Sequence, residues 1–454
     1  MTARFTRQTL QYTMSLSRRT FFQYLASTAG AAALSSSATS LVAEPLSLQS
    51  TANSEIASAK LSFSAPLTHS DWMLKPGLQW GPEGVHHMLD ACKACGWSRV
   101  HWRVLDGGRA LYSSKIVRPS FKVEPDSSIW DPQTDAEKAI YQKFFGNVSE
   151  ARRREILAGQ QRFDYATFDS FAEAVRYGHQ IGLKIDAWVT INEDDHGWGI
   201  ISDFAKAHPQ FAWVKRDGTP YHSQMSFAFP EVRAYKLSII DELLSNYDLD
   251  GLFMDWIRTG DIRDNPQTDS EGIANSGYEA PNVEAFKGET NADPHDVPNK
   301  DERWVRVRAN SHTTFMRSVR DRVAQHHKPL LVAVMVGHPW HYRGLQDPID
   351  GNLRGLLLDV RTWAEEKLVD AAIAAGYYRA GGDATKAYQA LADETQNKID
   401  VWYYAWVPNT SEEFARDFSA AKNLGAKNVL FWEADYIDDR PNAPALKQLM
   451  SSHK

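Results

Sequence analysis

Two hydrophobic patterns alternate along the chain. Short runs dense in Val, Ile, Leu, Phe, Trp and Tyr recur as LSFSAP, SRVHWRVL, LKIDAWVTI, DGLFMDWI, PLLVAVMV, LVDAAIAAGYY, IDVWYYAWV and NVLFWEAD, spread over residues 61–435. Such runs are apolar nearly throughout, as a strand covered on both faces must be. Between them lie stretches with apolar residues at helical spacing, at about 165–180, 230–247, 302–326 and 410–424. The segment GPEGVHHMLDACKACGW has the same spacing, through Val85, Met88, Leu89 and Cys92. LSFSAP is the weakest of the eight β runs, and each of the others follows a helical pattern. Eight βα repeats predict an α/β fold, a (β/α)8 TIM barrel with a closed parallel sheet. An open doubly wound sheet is the alternative. It would usually carry a Gly-rich phosphate turn after an early strand, and no G-x-G-x-x-G occurs in the chain.

Long polar inserts follow three of the strands, at about 106–160, 192–229 and 261–301. In a barrel all three fall on the face where the strands end and where such folds carry their sites. The strand ends are unusual in themselves. DGLFMDWIR leaves an apolar run at Asp255 and reaches Arg258 three residues later. A carboxylate in that position is costly unless it is paired or functional. Arg258 is the partner that a purely structural ion pair would use. The second strand ends in His101, Arg103 and Asp106, and the third in Asp186, Trp188, Asn192, Glu193 and Asp194. His338 follows the fifth, Tyr377 and Tyr378 the sixth, Tyr404 and Trp406 the seventh, and Trp432, Glu433 and Asp435 the eighth. Carboxylates, amides and flat aromatic rings around one opening are what a sugar requires: rings stack on its C–H faces, and polar groups bind its hydroxyls. The chain holds 15 Trp and 17 Tyr, more than packing alone calls for.

Breaking a glycosidic bond takes two carboxyl groups flanking it. Asp255 is the first candidate. Glu433, framed by Trp432 and apolar residues, is the second, and the alternative for it is a structural partnership with Arg103 or Arg258. Asp359, after the apolar GLLL, is the third, unless it only opens a helix. Thr362 and Glu365 have the spacing of a capping box, which ties Glu365 to a helix N-terminus.

The remaining composition narrows the partners. Net charge is -7 with both signs interspersed, so no nucleic-acid footprint is present. The two cysteines, Cys92 and Cys95, fall on or near the buried side of their helix, where packing, a structural disulfide or half of a metal site are the readings to separate. Near the N-terminus, SLSRRTFFQYLASTAGAAALSSSA places Arg18 and Arg19 before an aromatic pair, an Ala-rich stretch and small residues. It resembles a twin-arginine export signal, with cleavage after Ala38 or Ala43. Elsewhere no run approaches the ~18 apolar residues of a membrane span. The expected organisation is a signal over 1–43, a linker over 44–58 and one (β/α)8 glycosidase-like catalytic domain over 59–454. The destination is the periplasm or the exterior, and the mature chain has no membrane span.

Several blocks resemble the glycosyl-hydrolase-like family 10 proteins over roughly residues 95–435. VHWRVLDGGRALYSS, with Arg103, Gly108 and Tyr112, is similar to the family's second-strand region, and GLKIDAWVTIN, with Trp188 and Asn192, to its third. HPQFAWVKRDG and FPEVRAYKLSIIDELLSNYDLDGLFMDWIR resemble its most distinctive block, ending at Asp255 and Arg258. LDVRTWAEEKLVDAA resembles the Asp-x-x-x-Trp stretch before the sixth strand, here Asp359 and Trp363. The chain departs from the family in AAGYY, where a Pro and a single Tyr are usual, and in VGHPWHY, which has no carboxylate. The resemblance implies a secreted barrel that cleaves a polysaccharide or cell-wall glycan without a cofactor. Asp255 is then nucleophile or base and Glu433 the acid, with Arg103 and Arg258 holding Asp255. Trp188, Tyr404, Trp406 and Trp432 are the sugar platforms, and Tyr112, Asn192, His338 and Tyr378 also touch substrate. A non-catalytic glycan-binding barrel is one alternative. A metal-dependent hydrolase using His101, His196, His338, Asp194 and Asp255 is another, although no H-x-H or H-E-x-x-H pair seeds it.

Overall fold

The computed structural model describes residues 61–73, 78–119, 148–160, 162–194, 202–255, 257, 275–299, 301–336, 357–376, 384–406 and 411–432, with Asp135, Lys138, Gln142, Gly146, Lys447 and Gln448. The proposed signal and linker lie outside these residues. So do Arg258, His338, Tyr377, Tyr378, Glu433, Asp435 and His196.

Eleven strands are described: β1 (Ser62–Leu67), β2 (Arg99–Asp106), β3 (Arg109–Ala110), β4 (Lys184–Thr190), β5 (Ala212–Val214), β6 (Pro220–Met225), β7 (Gly251–Asp255), β8 (Leu330–Val336), β9 (Ala371–Gly376), β10 (Asp400–Trp406) and β11 (Asn428–Trp432). The order β1-β11-β10-β9-β8-β7-β4-β2 is parallel throughout and closes through β1–β2 pairing, so the barrel has the eight strands that the hydrophobic runs predict. The helices are α1 (His69–Trp72), α2 (Pro82–Ala94), α3 (Glu150–Gln160), α4 (Ser170–Gln180), α5 (Asp203–Ala207), α6 (Pro230–Asn246), α7 (Ala280–Thr290), α8 (Glu302–Gln325), α9 (Val360–Glu365), α10 (Ala384–Thr395) and α11 (Ser411–Asn423). None of them is long and apolar enough to cross a membrane.

Local chemistry sets the element ends. On α2, Val85, Met88, Leu89 and Cys92 are fully buried, each worth roughly 1.5–3 kcal/mol if it is a large apolar side chain. Cys95 is buried as well, and neither thiol is in a disulfide. Asp169 caps α4 by accepting from the N–H groups of Phe171 and Ala172, and its other oxygen takes the Tyr247 hydroxyl at 2.6 Å. Between β2 and β3, Gly107 and Gly108 have φ of 55° and 71°, the left-handed pair that a two-residue hairpin demands.

All three inserts carry structure that their polar composition hides, the first of them β3 and α3. The one after β4 contains α5 and the β5–β6 hairpin, and the one after β7 contains α7. Glu279 ties the latter two together: its carboxylate accepts from the Val214 N–H, the Ser226 hydroxyl and the Asn282 amide. Arg308 of α8 donates to the carbonyls of Ser276 and Asn299, pinning the insert after β7 to α8.

Candidate active site

The barrel interior is built in layers. At its lower end Arg99 bonds Asp186, and His101 Nδ1 lies 2.9 Å from Asp186 Oδ2. Burial pulls the His101 imidazole below its ordinary value, against the opposing pull of Asp186. It also pushes the Asp186 carboxyl up, but Arg99 and His101 together outweigh that and hold it below the ordinary range. His101 and Asp186 therefore belong to the floor and not, as their place in the sequence indicates, to the opening. Asp400 completes this layer, accepting from Trp402 Nε1 and Asn428 Nδ2 at 2.9 and 2.8 Å.

Above lies an aromatic layer. Trp188 packs edge-on against Trp432 at 5.7 Å and beside Phe253 at 6.2 Å, and Tyr404 lies 6.0 Å from Trp432. The backbone of Trp406 pairs with that of Trp432 in the strand register. Trp188, Tyr404 and Trp432 are 2, 3 and 4% exposed, so all three are enclosed.

The carboxylates stand on this layer. Asp255, the last residue of β7, is buried, and its Oδ2 accepts from Trp188 Nε1 at 3.3 Å. In the register Thr190 pairs with Asp255, which puts the residues after β4 beside it. Asn192 and Glu193 follow there, both buried. The β2–β4 register slips between Arg103 and Leu105, a bulge of the kind that re-aims side chains at a barrel rim. Arg103, paired with Trp188 just before the slip, lies over the Trp188 ring, 4.8 Å from its centroid, with Nη2 2.8 Å from Asp106 Oδ1 and 3.3 Å from Glu193 Oε2.

Three expected assignments change. Arg103 pairs with Asp106 of its own strand and with Glu193 after β4 rather than with Asp255. Tyr112 is fully buried against α6, where its hydroxyl donates to Glu242 at 2.6 Å, so it is a packing residue and not a sugar contact. Asp359 is the N-cap of α9: it accepts from the Thr362 N–H at 3.1 Å and hydroxyl at 2.7 Å, in a cleft also lined by Arg306 and Arg317 of α8. Thr362 is thus inside the helix, and the capping box with Glu365 does not form; Glu365 lies 3.5 Å from Lys398.

The metal alternative loses two of its members. His101 sits in the floor, and both oxygens of Asp194 lie 2.8 Å from Lys236 Nζ. Among the described residues no three His, Cys, Asp or Glu side chains converge to hold a metal. What the sequence left unassigned at the mouth is Glu193, present in the strand-end run NED but without any signal that Arg103 would reach it.

A closed (β/α)8 barrel with carboxylates at the mouth on an aromatic layer is the class defined here. It is also the fold of two solved proteins similar to this chain. The glycoside hydrolase domain of PgaB (BpsB) from Bordetella bronchiseptica superposes with a TM-score of 0.50 at 13% identity, over 86% of this chain and 98% of that one. The catalytic domain of beta-amylase from Paenibacillus polymyxa does so with 0.52 at 9% identity, over 87% and 100%. Residues 135–402, more than half the chain, match the pattern of glycosyl hydrolase-like 10, and the chain belongs to that family. No curated protein matches it in sequence.

Proposed function

We propose that this protein is an exported glycoside hydrolase that cleaves a polysaccharide or cell-wall glycan with a pair of carboxyl groups. The observation that carries the reading is Asp255: a buried carboxylate at a strand tip, oriented by a donor, in a family of glycosidase-like barrels. Asp255 acts as nucleophile, or as base if the enzyme inverts, and Glu433, next after the strand that ends in Trp432, is the acid. Tyr404 and Trp432 belong to the enclosed layer on which the carboxylates stand, and Asn192 bonds a hydroxyl. Arg258, His338, Tyr378 and Trp406 complete the subsites. Glu193 is a further carboxylate at the mouth, ordered by Arg103. The SRRTFF segment supports export by the twin-arginine route.

The experiment is reducing-end release from a panel of polysaccharides and peptidoglycan glycan, with wild type, Asp255→Asn and Glu433→Gln in parallel. Release by the wild type and its loss in Asp255→Asn is the expected result, and Glu433→Gln then tests the acid. Binding of a glycan without release by the wild type overturns the reading and leaves a glycan-binding barrel.

A further inference from the structure

The surroundings of Trp188 leave no open ring face for a sugar. The Arg103 guanidinium covers the indole at 4.8 Å, Trp432 meets it edge-on, and Phe253 lies alongside. With 2% of the residue exposed, its stacking surface is already occupied. The polar edge of the ring is directed instead: Nε1 reaches Asp255 Oδ2 at 3.3 Å. An indole nitrogen can only donate, so the group it serves must be an acceptor. A carboxyl group turns freely about its last bond, and a donor fixed on one oxygen sets that rotation. Trp188 pairs in register with Phe253, one layer below Asp255 on the adjoining strand, and from there the indole reaches up to the carboxylate.

We propose that Trp188 is a positioning residue for Asp255, acting through its indole N–H, and that Arg103, clamped between Asp106 and Glu193, holds the indole in place. The inference rests on the reading of Asp255 as the reacting carboxylate. Among the described residues, the charged groups around the indole are Arg103 and Asp106 of β2, Glu193 after β4 and Asp255 of β7. Arg103 Nη2 contacts two carboxylates, Asp106 and Glu193, so it cannot swing away without breaking both contacts. The indole is therefore held by packing from below and by a cation from one face, and its donor is ready before any substrate arrives.

The test has two readouts. In the full-length protein with 15N-labelled tryptophan, the Trp188 indole resonance is identified by its loss in Trp188→Phe. It is expected downfield in the wild type and to move upfield in Asp255→Asn, where the anionic acceptor is gone. A resonance that stays in place in Asp255→Asn overturns the proposal, and where Trp188→Phe folds poorly the loss of the same peak in Trp188→Tyr supplies the assignment. On a glycan cleaved by the wild type, Trp188→Phe keeps an aromatic ring but no donor. Its kcat is expected to fall about tenfold or more, with KM changed by no more than about twofold, the scale of one charge-assisted hydrogen bond. A raised KM with kcat intact makes Trp188 a sugar surface and sinks the idea. Full activity in Asp255→Asn overturns the catalytic reading itself. An inactive Asp255→Asn beside an unaffected Trp188→Phe overturns the positioning role alone.

Discussion

Lys236 and Asp194 form an enclosed ion pair, the ammonium 2.8 Å from each carboxylate oxygen and both side chains at most 2% exposed. Ser202 adds a third bond to the same carboxylate at 3.0 Å. The pair fastens the end of the third-strand segment, with Asn192 and Glu193 just before it, to α6. Removing one partner leaves a buried charge without compensation. Lys236→Met is therefore expected to lower the unfolding free energy by about 3–5 kcal/mol. The double variant Lys236→Met/Asp194→Leu should recover most of that loss, as read from urea unfolding.

Asp255→Asn removes the charge but keeps the shape. Glycan cleavage is expected to fall by about 10²–10⁴-fold, the range for loss of a positioned catalytic group. The unfolding midpoint should change little by comparison, so initial rates and thermal melts on the same preparation separate chemistry from folding.

Glu279 sets a pH dependence. Its carboxyl is fully enclosed, and burial pushes it up to about 7, against the opposing bonds from Ser226 and the backbone N–H groups. The folded state thus favours the protonated form more than the unfolded state does. The stability this confers is complete below the unfolded value of 4.5 and is lost as pH rises through about 7. The difference amounts to about 3 kcal/mol. Denaturation curves from pH 4.5 to 8 should show wild-type stability declining, and Glu279→Gln, which cannot ionise, should show a shallower decline.

Asp359→Ala should cost about 1 kcal/mol through the lost cap of α9 and leave glycan cleavage unchanged. A collapse in kcat without a loss of stability would return Asp359 to the catalytic group.

If the proposed twin-arginine export operates, replacing Arg18 and Arg19 together with lysine should hold the precursor in the cytoplasm, because the receptor of that route reads such a pair. Fractionation with an antibody to the mature domain gives the answer directly.

The barrel was legible because its strands are apolar along their length: DGLFMD and PLLVAVMV admit few other readings in a chain of alternating helical patterns. Asp255 was legible for the converse reason, a charge ending such a run. Glu193 as a partner of Arg103 was not, because the two lie 90 residues apart and no local pattern records that one reaches the other. Tyr112 was misread since a Tyr in a loop looks available until the helix behind it supplies Glu242. Asp359 and Thr362 show the limit of cap spacing: Asp-x-x-Thr and Thr-x-x-Glu overlap in one segment, and only the chain's entry angle decides which residue starts the helix.

The Gly107–Gly108 hairpin has a consequence beyond its turn. A methyl group at Gly108 would run into the side chain of Ser202 and press on the Asp194 backbone, so the hairpin after β2 and the segment after β4 interlock. Neither can be lengthened or exchanged without the other. Swapping in a loop from a related barrel to change what this one accepts would need both pieces transplanted as a single cassette.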